Sequence, residues 1–154
     1  MNKIVKKKIK IININFKKRL TYIEPVNLYG CSFENDVFIG PFVEIQKNVK
    51  IGNNTRISSH SFVCEKVSIG NNCFIGHGVM FTNDLFTGEK LKKKKSNWLT
   101  TKIGNNVKVG SGSTILPVKI CDDVIIGAGS VITKDIKKPG IYIGNPAKFK
   151  RKIS

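Results

Sequence analysis

Two histidines and a following asparagine and aspartate are the residues in this sequence best suited to acid–base or hydrogen-bonding chemistry. His60 and His77 are the only histidines, and an imidazole acts as a general base or hydrogen-bond partner near neutral pH. Residues 76–78 (GHG) lead into Asn83 and Asp84, either of which could hold a polar group of a substrate. The alternative interpretation is that both histidines are simply exposed surface residues.

A second set of residues combines small side chains with basic ones. Segments 110–112 (GSG) and 127–129 (GAG) offer minimal side chains on which a long, thin ligand could lie and bond to backbone amides. Arginine and lysine nearby are suited to phosphates, although small residues are also what tight turns prefer. We predict a phosphorylated, elongated cofactor such as coenzyme A, bound by Gly110, Ser111, Ala128, Thr133, Lys134, Lys148 and Arg151.

These residues must be positioned by a six-residue repeat that organises most of the chain. A fixed period of this kind is typical of a solenoid made of short strands and corners. Six residues are too few for a strand plus a hairpin turn, which disfavours the alternative of a β-sandwich. Stepping by six meets only apolar residues: Phe33, Ile39, Ile45, Ile51, Ile57, Val63, Ile69, Ile75 and Phe81. Small or β-branched residues stand at the second inward position: Val37, Val43, Val49, Thr55, Ser61, Val67, Cys73 and Val79.

Three sides of six residues make a coil of 18 residues, and this spacing predicts which side chains stack. We expect Ile39, Ile57 and Ile75 to lie above one another inside the solenoid. Because Ile57 and Ile75 are one coil apart, His60 and His77 should lie on the same side of successive coils. Stacked strands are about 4.7–4.9 Å apart.

The repeat also sets the expected boundaries of an all-β chain with one domain. Residues 1–21 are predicted as an N-terminal arm that forms an edge strand or is poorly ordered. The solenoid covers 22–147, with Val26 and Leu28 as its first inward pair. The repeat fails after Phe81, which predicts an extruded loop over 82–97. One residue is missing at 116–118, and Pro139-Gly140 is expected to end the solenoid, before a basic tail over 148–154 that forms a short helix or a strap.

Composition narrows the class of protein. The formal charge is +17, but the lysines cluster at the ends and at one interruption of the repeat, without interleaved aromatic residues, so we expect no nucleic-acid partner. The four cysteines show no zinc-ligand spacing, and we predict no metal. Free thiols and the lack of a signal peptide or a membrane span predict a cytoplasmic protein.

The repeat resembles the left-handed β-helix acyltransferases over residues 22–147, and the left-handedness of the predicted parallel β-helix comes from that resemblance. Four segments resemble a narrower group, the N-acetyltransferases of nucleotide-linked 3-amino sugars, which includes the enzyme for UDP-2-acetamido-3-amino-2,3-dideoxyglucuronate: VNLYGC (26–31), FVEIQKN (42–48), ISSHSFVCE (57–65) and GHGVMFTND (76–84). The group usually continues after Asn-Asp with an aromatic residue, Pro and Arg. Here residues 85–88 (LFTG) depart from that pattern, which leaves the sugar and its nucleotide open.

The resemblance implies acetyl-CoA as donor, a homotrimer, and active sites at subunit boundaries. We therefore expect an acetyl-CoA-dependent N-acetyltransferase acting on a UDP- or dTDP-linked amino sugar in surface polysaccharide or glycoconjugate biosynthesis. His77 and Asn83 are the expected catalytic residues, and His60, Glu65 and Asp84 orient the sugar. The alternatives are a sugar O-acetyltransferase, in which a hydroxyl nucleophile needs a base more strongly, and a non-catalytic solenoid scaffold.

Overall fold

The computed structural model describes residues 9–85 and 98–153, which form twenty-one short strands numbered β1 to β21 in chain order. Sheet 1 contains β1 (Ile11–Ile12), β4 (Asn27–Tyr29), β7 (Glu44–Ile45), β10 (Phe62–Val63), β13 (Met80–Phe81), β16 (Thr114–Ile115) and β19 (Val131–Ile132). Sheet 2 contains β2 (Asn15–Phe16), β5 (Ser32–Phe33), β8 (Lys50–Ile51), β11 (Val67–Ile69), β14 (Thr101–Ile103) and β17 (Lys119–Ile120). Sheet 3 contains β3 (Leu20–Tyr22), β6 (Val37–Ile39), β9 (Arg56–Ile57), β12 (Phe74–Ile75), β15 (Lys108–Val109), β18 (Val124–Ile126), β20 (Gly140–Gly144) and β21 (Ala147–Arg151).

The chain visits the three sheets in turn and so winds into a left-handed parallel β-helix, which confirms the predicted fold class. Each strand pairs in parallel with the strand one coil above it. Ile39 pairs with Ile57, and Ile57 with Ile75, as the 18-residue coil predicts. Both are fully buried, as are the other residues predicted to point inward from Phe33 to Phe81. Val26 and Leu28 are buried as well.

The change of phase near residue 117 is also confirmed. Thr114 pairs with Val131 and Lys102 with Lys119, so this coil is shorter by one residue than the coil that links Phe38 to Arg56. Every strand therefore keeps its apolar side chain inward, because the missing residue is taken from a corner.

At the N-terminus the solenoid begins earlier than the predicted boundary at residue 22. Strands β1, β2 and β3 pair in parallel with β4, β5 and β6 and add a complete coil. Ile11, Ile14 and Leu20 pack against the core as partly buried residues. The six-residue spacing misses this coil because Ile11 pairs with Leu28 and Asn15 with Ser32, a register one residue shorter than in the coils above.

At the C-terminus the solenoid continues past Pro139-Gly140, where it was expected to end. Strand β20 pairs in parallel with β18, and β21 then folds back antiparallel onto β20. The rings of Tyr142 and Phe149 meet edge to face, with centroids 5.5 Å apart. The expected helix or strap is thus a β-hairpin that caps the edge of sheet 3.

The insertion predicted after Phe81 leaves and re-enters the solenoid between β13 and β14. Val67 pairs with Thr101, 34 positions later, so the coil keeps its register across the insertion. The backbone N–H of Leu99 donates to the carbonyl of Asn83 (2.9 Å), and Lys66 Nζ donates to the carbonyl of Trp98 (2.8 Å). Residues 86–97 of the predicted loop lie outside the described residues.

Two ladders of side-chain amides stabilise the corner that joins sheet 2 to sheet 3. In the inner ladder, Asn53 donates from its backbone N–H and its Nδ2 to Asn71 Oδ1 (2.7 and 3.0 Å), and the same arrangement recurs along the corner. These amides satisfy backbone donors that face solvent at a bend. The ladders comprise Asn35, Asn53, Asn71, Asn105 and Asp122, and Asn54, Asn72, Asn106 and Asp123. They identify this third corner as a structural element.

The described part of the chain contains no helix that is long and apolar enough to cross a bilayer.

Candidate functional site

The predicted site residues lie at two corners that flank sheet 1. The first corner joins sheet 3 to sheet 1 and consists of stacked two-residue turns: 41–42, 59–60, 77–78, 111–112 and 128–129. The second corner joins sheet 1 to sheet 2 and contains residues 46–49, 64–66, 82–85, 98–100, 116–118 and 133–135. Sheet 1 separates the two corners within one chain.

His77 is an exposed residue in the first position of its turn. Its backbone N–H donates to Ser111 Oγ (3.1 Å), and the same oxygen lies 3.4 Å from His77 Nδ1. A Cβ atom on the preceding Gly76 would lie 2.6 Å from the backbone nitrogen of Ser111, so only glycine permits this close stacking. Gly78 adopts φ +62° with open space around it, which leaves the imidazole accessible.

His60 lies at the same corner one coil below, as the spacing predicts. It occupies the second position of its turn with φ 62°, where the coil above has Gly78. Its ring stacks on that of Phe42, with centroids 4.8 Å apart and an interplanar angle of 29°. The two histidines therefore belong to one exposed column, at different positions of successive turns.

The column continues upward through three of the predicted cofactor residues. Gly112 N–H donates to the carbonyl of His77 (2.8 Å), and Gly129 N–H donates to that of Ser111 (2.9 Å). A Cβ on Gly110 would lie 2.4 Å from the backbone nitrogen of Ala128, so these coils also stack closely. The first corner therefore brings Gly110, Ser111 and Ala128 together with His77, along a surface almost without side chains.

The basic residues predicted to bind phosphates are divided between locations. Lys148 pairs with Ile143, whose side chain lies 2.9 Å from the Cβ position of Gly127, close to the first corner. Arg151 pairs with Ile141 further along the hairpin, nearer the third corner. Thr133 and Lys134 follow β19 and lie at the second corner, so within one chain they do not join the column.

Asn83, Glu65 and Asp84 lie at the second corner. Asn83 Nδ2 donates to the backbone carbonyl of Glu65 (3.3 Å), and the backbone N–H of Glu65 donates to Gln46 Oε1 (3.3 Å). Glu65 is buried, whereas Asn83 and Asp84 are half-buried. One chain therefore does not bring Asn83 next to His77.

Sequence reasoning missed a hydrogen-bonded group on the outer face of sheet 1. Glu44 accepts from Asn27 Nδ2 (3.0 Å), from Gln46 Nε2 (2.9 Å) and from the Tyr29 hydroxyl (3.4 Å). Burial, followed by the charge of Glu44, raises the pKa of Tyr29. These residues stand in two of the segments that carry the resemblance, but a period that marks inward positions says nothing about which outward neighbours meet.

The cysteines are free thiols and are not suited to nucleophilic chemistry. Burial raises the pKa of Cys31 to about 11 and that of Cys64 to about 12, so both remain protonated near neutral pH. Within residues 9–85 and 98–153, no three His, Cys, Asp or Glu side chains are grouped so that they could hold a metal ion.

Fold and first corner together define the class of hexapeptide-repeat β-helix proteins. Residues 30–65 match the family described as Bacterial transferase hexapeptide (six repeats), and residues 66–80 and 100–134 match Hexapeptide repeat of succinyl-transferase. Together the two matches span more than half of the chain. The chain belongs to the hexapeptide-repeat transferase family, as its sequence predicts.

Individual relatives place the chain within that family. It is 35% identical over 123 residues to Bifunctional protein GlmU of Clostridium botulinum, a match that covers 79% of this chain and 24% of GlmU. The chain thus spans about a quarter of the length of this relative.

Two solved structures share the fold. A perosamine N-acetyltransferase mutant from Caulobacter crescentus, in complex with CoA and GDP-perosamine, has a TM-score of 0.67 at 22% identity, over 89% of this chain and 56% of that one. A maltose O-acetyltransferase from Clostridium difficile has a TM-score of 0.61 at 26% identity, over 92% of this chain and 67% of that one.

Proposed function

We propose that the protein is an acetyl-CoA-dependent N-acetyltransferase that acts on the amino group of a nucleotide-linked sugar, UDP- or dTDP-linked, in surface polysaccharide or glycoconjugate biosynthesis. The observation that carries the proposal is the first corner, where exposed His77 adjoins the side-chain-poor surface of Ser111 and Ala128. An elongated thioester lies along that surface with its acetyl group beside the imidazole. The CoA and GDP-perosamine bound to the Caulobacter enzyme of the same fold support both substrates.

The reaction needs few protein groups. The amine nitrogen attacks the acetyl carbonyl, the C–S bond of the resulting tetrahedral oxyanion breaks, CoA leaves as thiolate, and the nitrogen passes its remaining extra proton to His77 or to the thiolate. An amine that titrates like an α-amino group, at about 7.7–8.0, is partly neutral at pH 7. His77 then mainly positions the amine, while Ser111 Oγ beside Nδ1 orients the ring.

The test is an assay of CoA thiol release with a panel of UDP- and dTDP-linked amino sugars and their hydroxy counterparts. We expect saturable release with an amino sugar and little release with the matched hydroxy sugar. Release with hydroxy sugars alone would instead establish the alternative, a sugar O-acetyltransferase, which the similarity to the Clostridium difficile enzyme favours. No acetyl-CoA binding at all would leave the scaffold alternative.

We propose a homotrimer as the active form. Sheet 1 separates His77 from Asn83 within one chain, so a complete site needs the second corner of a neighbouring copy beside the first corner. The outer face of sheet 1 carries apolar side chains, including Met80 with 42% of its surface exposed, and closed cyclic packing would cover them. Sedimentation is expected to give a mass near three times 17.1 kDa; a fully active monomer would contradict the proposal.

Charge near the first corner is expected to act on the cofactor alone. Lys148→Ala should raise the KM for acetyl-CoA about 10-fold, as expected for loss of a charged hydrogen bond to phosphate, with less effect as salt is added. Arg151→Ala is the matched control, because it removes one positive charge from the same strand further from the corner, and its effect should be smaller. An equal rise in the KM of both substrates would indicate a damaged fold instead.

The four free thiols are compatible with a reducing compartment, and we propose a cytoplasmic location without a nucleic-acid or membrane partner.

A further inference from the structure

Phe42 occupies a backbone position that a phenylalanine rarely takes. It has φ 60° and stands in the second position of its first-corner turn, where the upper coils have Gly78, Gly112 and Gly129. A bulky residue in this left-handed region costs roughly 1–3 kcal/mol. The ring gains little burial in return, because 57% of its surface is exposed. Packing of the solenoid therefore does not explain an aromatic ring here.

The ring instead forms the wall of a cleft at the N-terminal end of the first corner. His60 stacks on the ring at 4.8 Å and holds it in place from the coil above. The cleft has a volume of about 200 Å³ and is also lined by Pro25, Asn27 and Glu44. An aromatic and apolar wall therefore faces the same space as a carboxylate and an amide.

The carboxylate in this cleft is held in a fixed orientation. Asn27 and Gln46 donate to different oxygens of Glu44 at 3.0 and 2.9 Å, and Tyr29 adds a third donor at 3.4 Å. An ionised carboxylate has about four acceptor sites, so these donors leave capacity for one more N–H. A flat ring lying against Phe42 with an N–H on its edge would use both the aromatic wall and this acceptor.

We propose that this cleft binds the base of the nucleotide sugar, with the base stacked on Phe42 and its imide N–H donated to Glu44. This inference rests on the proposed function and specifies its substrate as one with an imide base, uracil or thymine. Cytosine lacks the imide N–H and is disfavoured. Two coil steps of about 4.7–4.9 Å separate Phe42 from the coil of His77. The diphosphate and sugar span this distance past the exposed ring of His60, so substrate and cofactor approach His77 from opposite ends of one column.

The test uses the full chain and UDP as the probe, with calorimetric measurement of its Kd. Phe42→Gly removes the ring while suiting φ 60°, so the protein should remain folded with an unchanged or higher melting temperature. Base–aromatic stacking is worth about 1–3 kcal/mol, so we expect the Kd for UDP to rise roughly 5- to 150-fold. Phe74→Gly, which removes a partly exposed ring from the outer face of sheet 3, is the control and should leave the Kd unchanged.

A second variant tests the hydrogen bond. Wild-type protein should bind UDP more tightly than CDP, and Glu44→Gln should reduce that preference while leaving the KM for acetyl-CoA unchanged. The inference is overturned if folded Phe42→Gly binds UDP within twofold of wild type, or if the wild type does not distinguish UDP from CDP. If no amino sugar is acetylated and UDP binding still depends on Phe42 and Glu44, the base site stands and the proposed reaction fails.

Discussion

Replacing His77 by alanine is expected to lower kcat/KM at pH 7 by less than about 100-fold, which is below the 10²–10⁴-fold range of an obligatory general base. Part of the loss should return between pH 7 and 9. The sign follows from the substrate: as pH rises through about 7.7–8.0 the amine becomes neutral without help, so a variant that cannot accept its proton gains more than the wild type does. Initial rates across this pH range, at saturating acetyl-CoA, provide the measurement.

The matched variant for this experiment is His60→Ala, which removes the other imidazole of the same column. His60 stacks on Phe42 rather than contacting Ser111, so its loss should raise the KM for the nucleotide sugar more than it lowers kcat. A collapse of kcat in His77→Ala that no pH relieves, with the trimer intact, would mean that His77 is an obligatory base and that the nucleophile is not a self-deprotonating amine.

Ile57→Ala is expected to destabilise the solenoid by about 2–5 kcal/mol, the range for truncation of a buried isoleucine. Ile57 is fully buried and pairs with Ile39 below and Ile75 above. The cavity would therefore interrupt the continuous aliphatic column of sheet 3. Urea unfolding followed by circular dichroism, with wild type and variants at the same protein concentration, measures the change in the free energy of unfolding.

Two further variants calibrate this loss. Ile57→Val keeps the branched side chain and should cost about 0.5–1.5 kcal/mol. Arg56→Ala removes the adjacent exposed residue, whose guanidinium lies 4.1 Å from the centre of the Phe38 ring, and should cost no more than about 1 kcal/mol. If Ile57→Ala were as mild as Arg56→Ala, the inward column would not be the main source of stability.

Much of the architecture was predictable because side-chain direction in a short strand is a local property. An apolar residue every six positions can be buried only if each side of the coil presents the same strand position inward. The buried row from Phe33 to Phe81, the shortened coil near residue 117 and the shared corner of His60 and His77 all follow from counting residues. The glycines beside His77 and Ser111 also marked where coils approach closely.

The sequence by itself thus determined the period, the inward side chains and the identity of the exposed corner, whereas the tertiary structure decided which outward residues meet. Contacts between coils depend on register and corner geometry, which differ by one residue at the first coil and hide it from a six-residue count. The same dependence produces the asparagine ladders, the stacking of His60 on Phe42 and the grip of Asn27 and Gln46 on Glu44. It also places Asn83 across sheet 1 from His77: six positions along the chain carry a residue from one corner to the next, so nearness in sequence separates the two within one subunit.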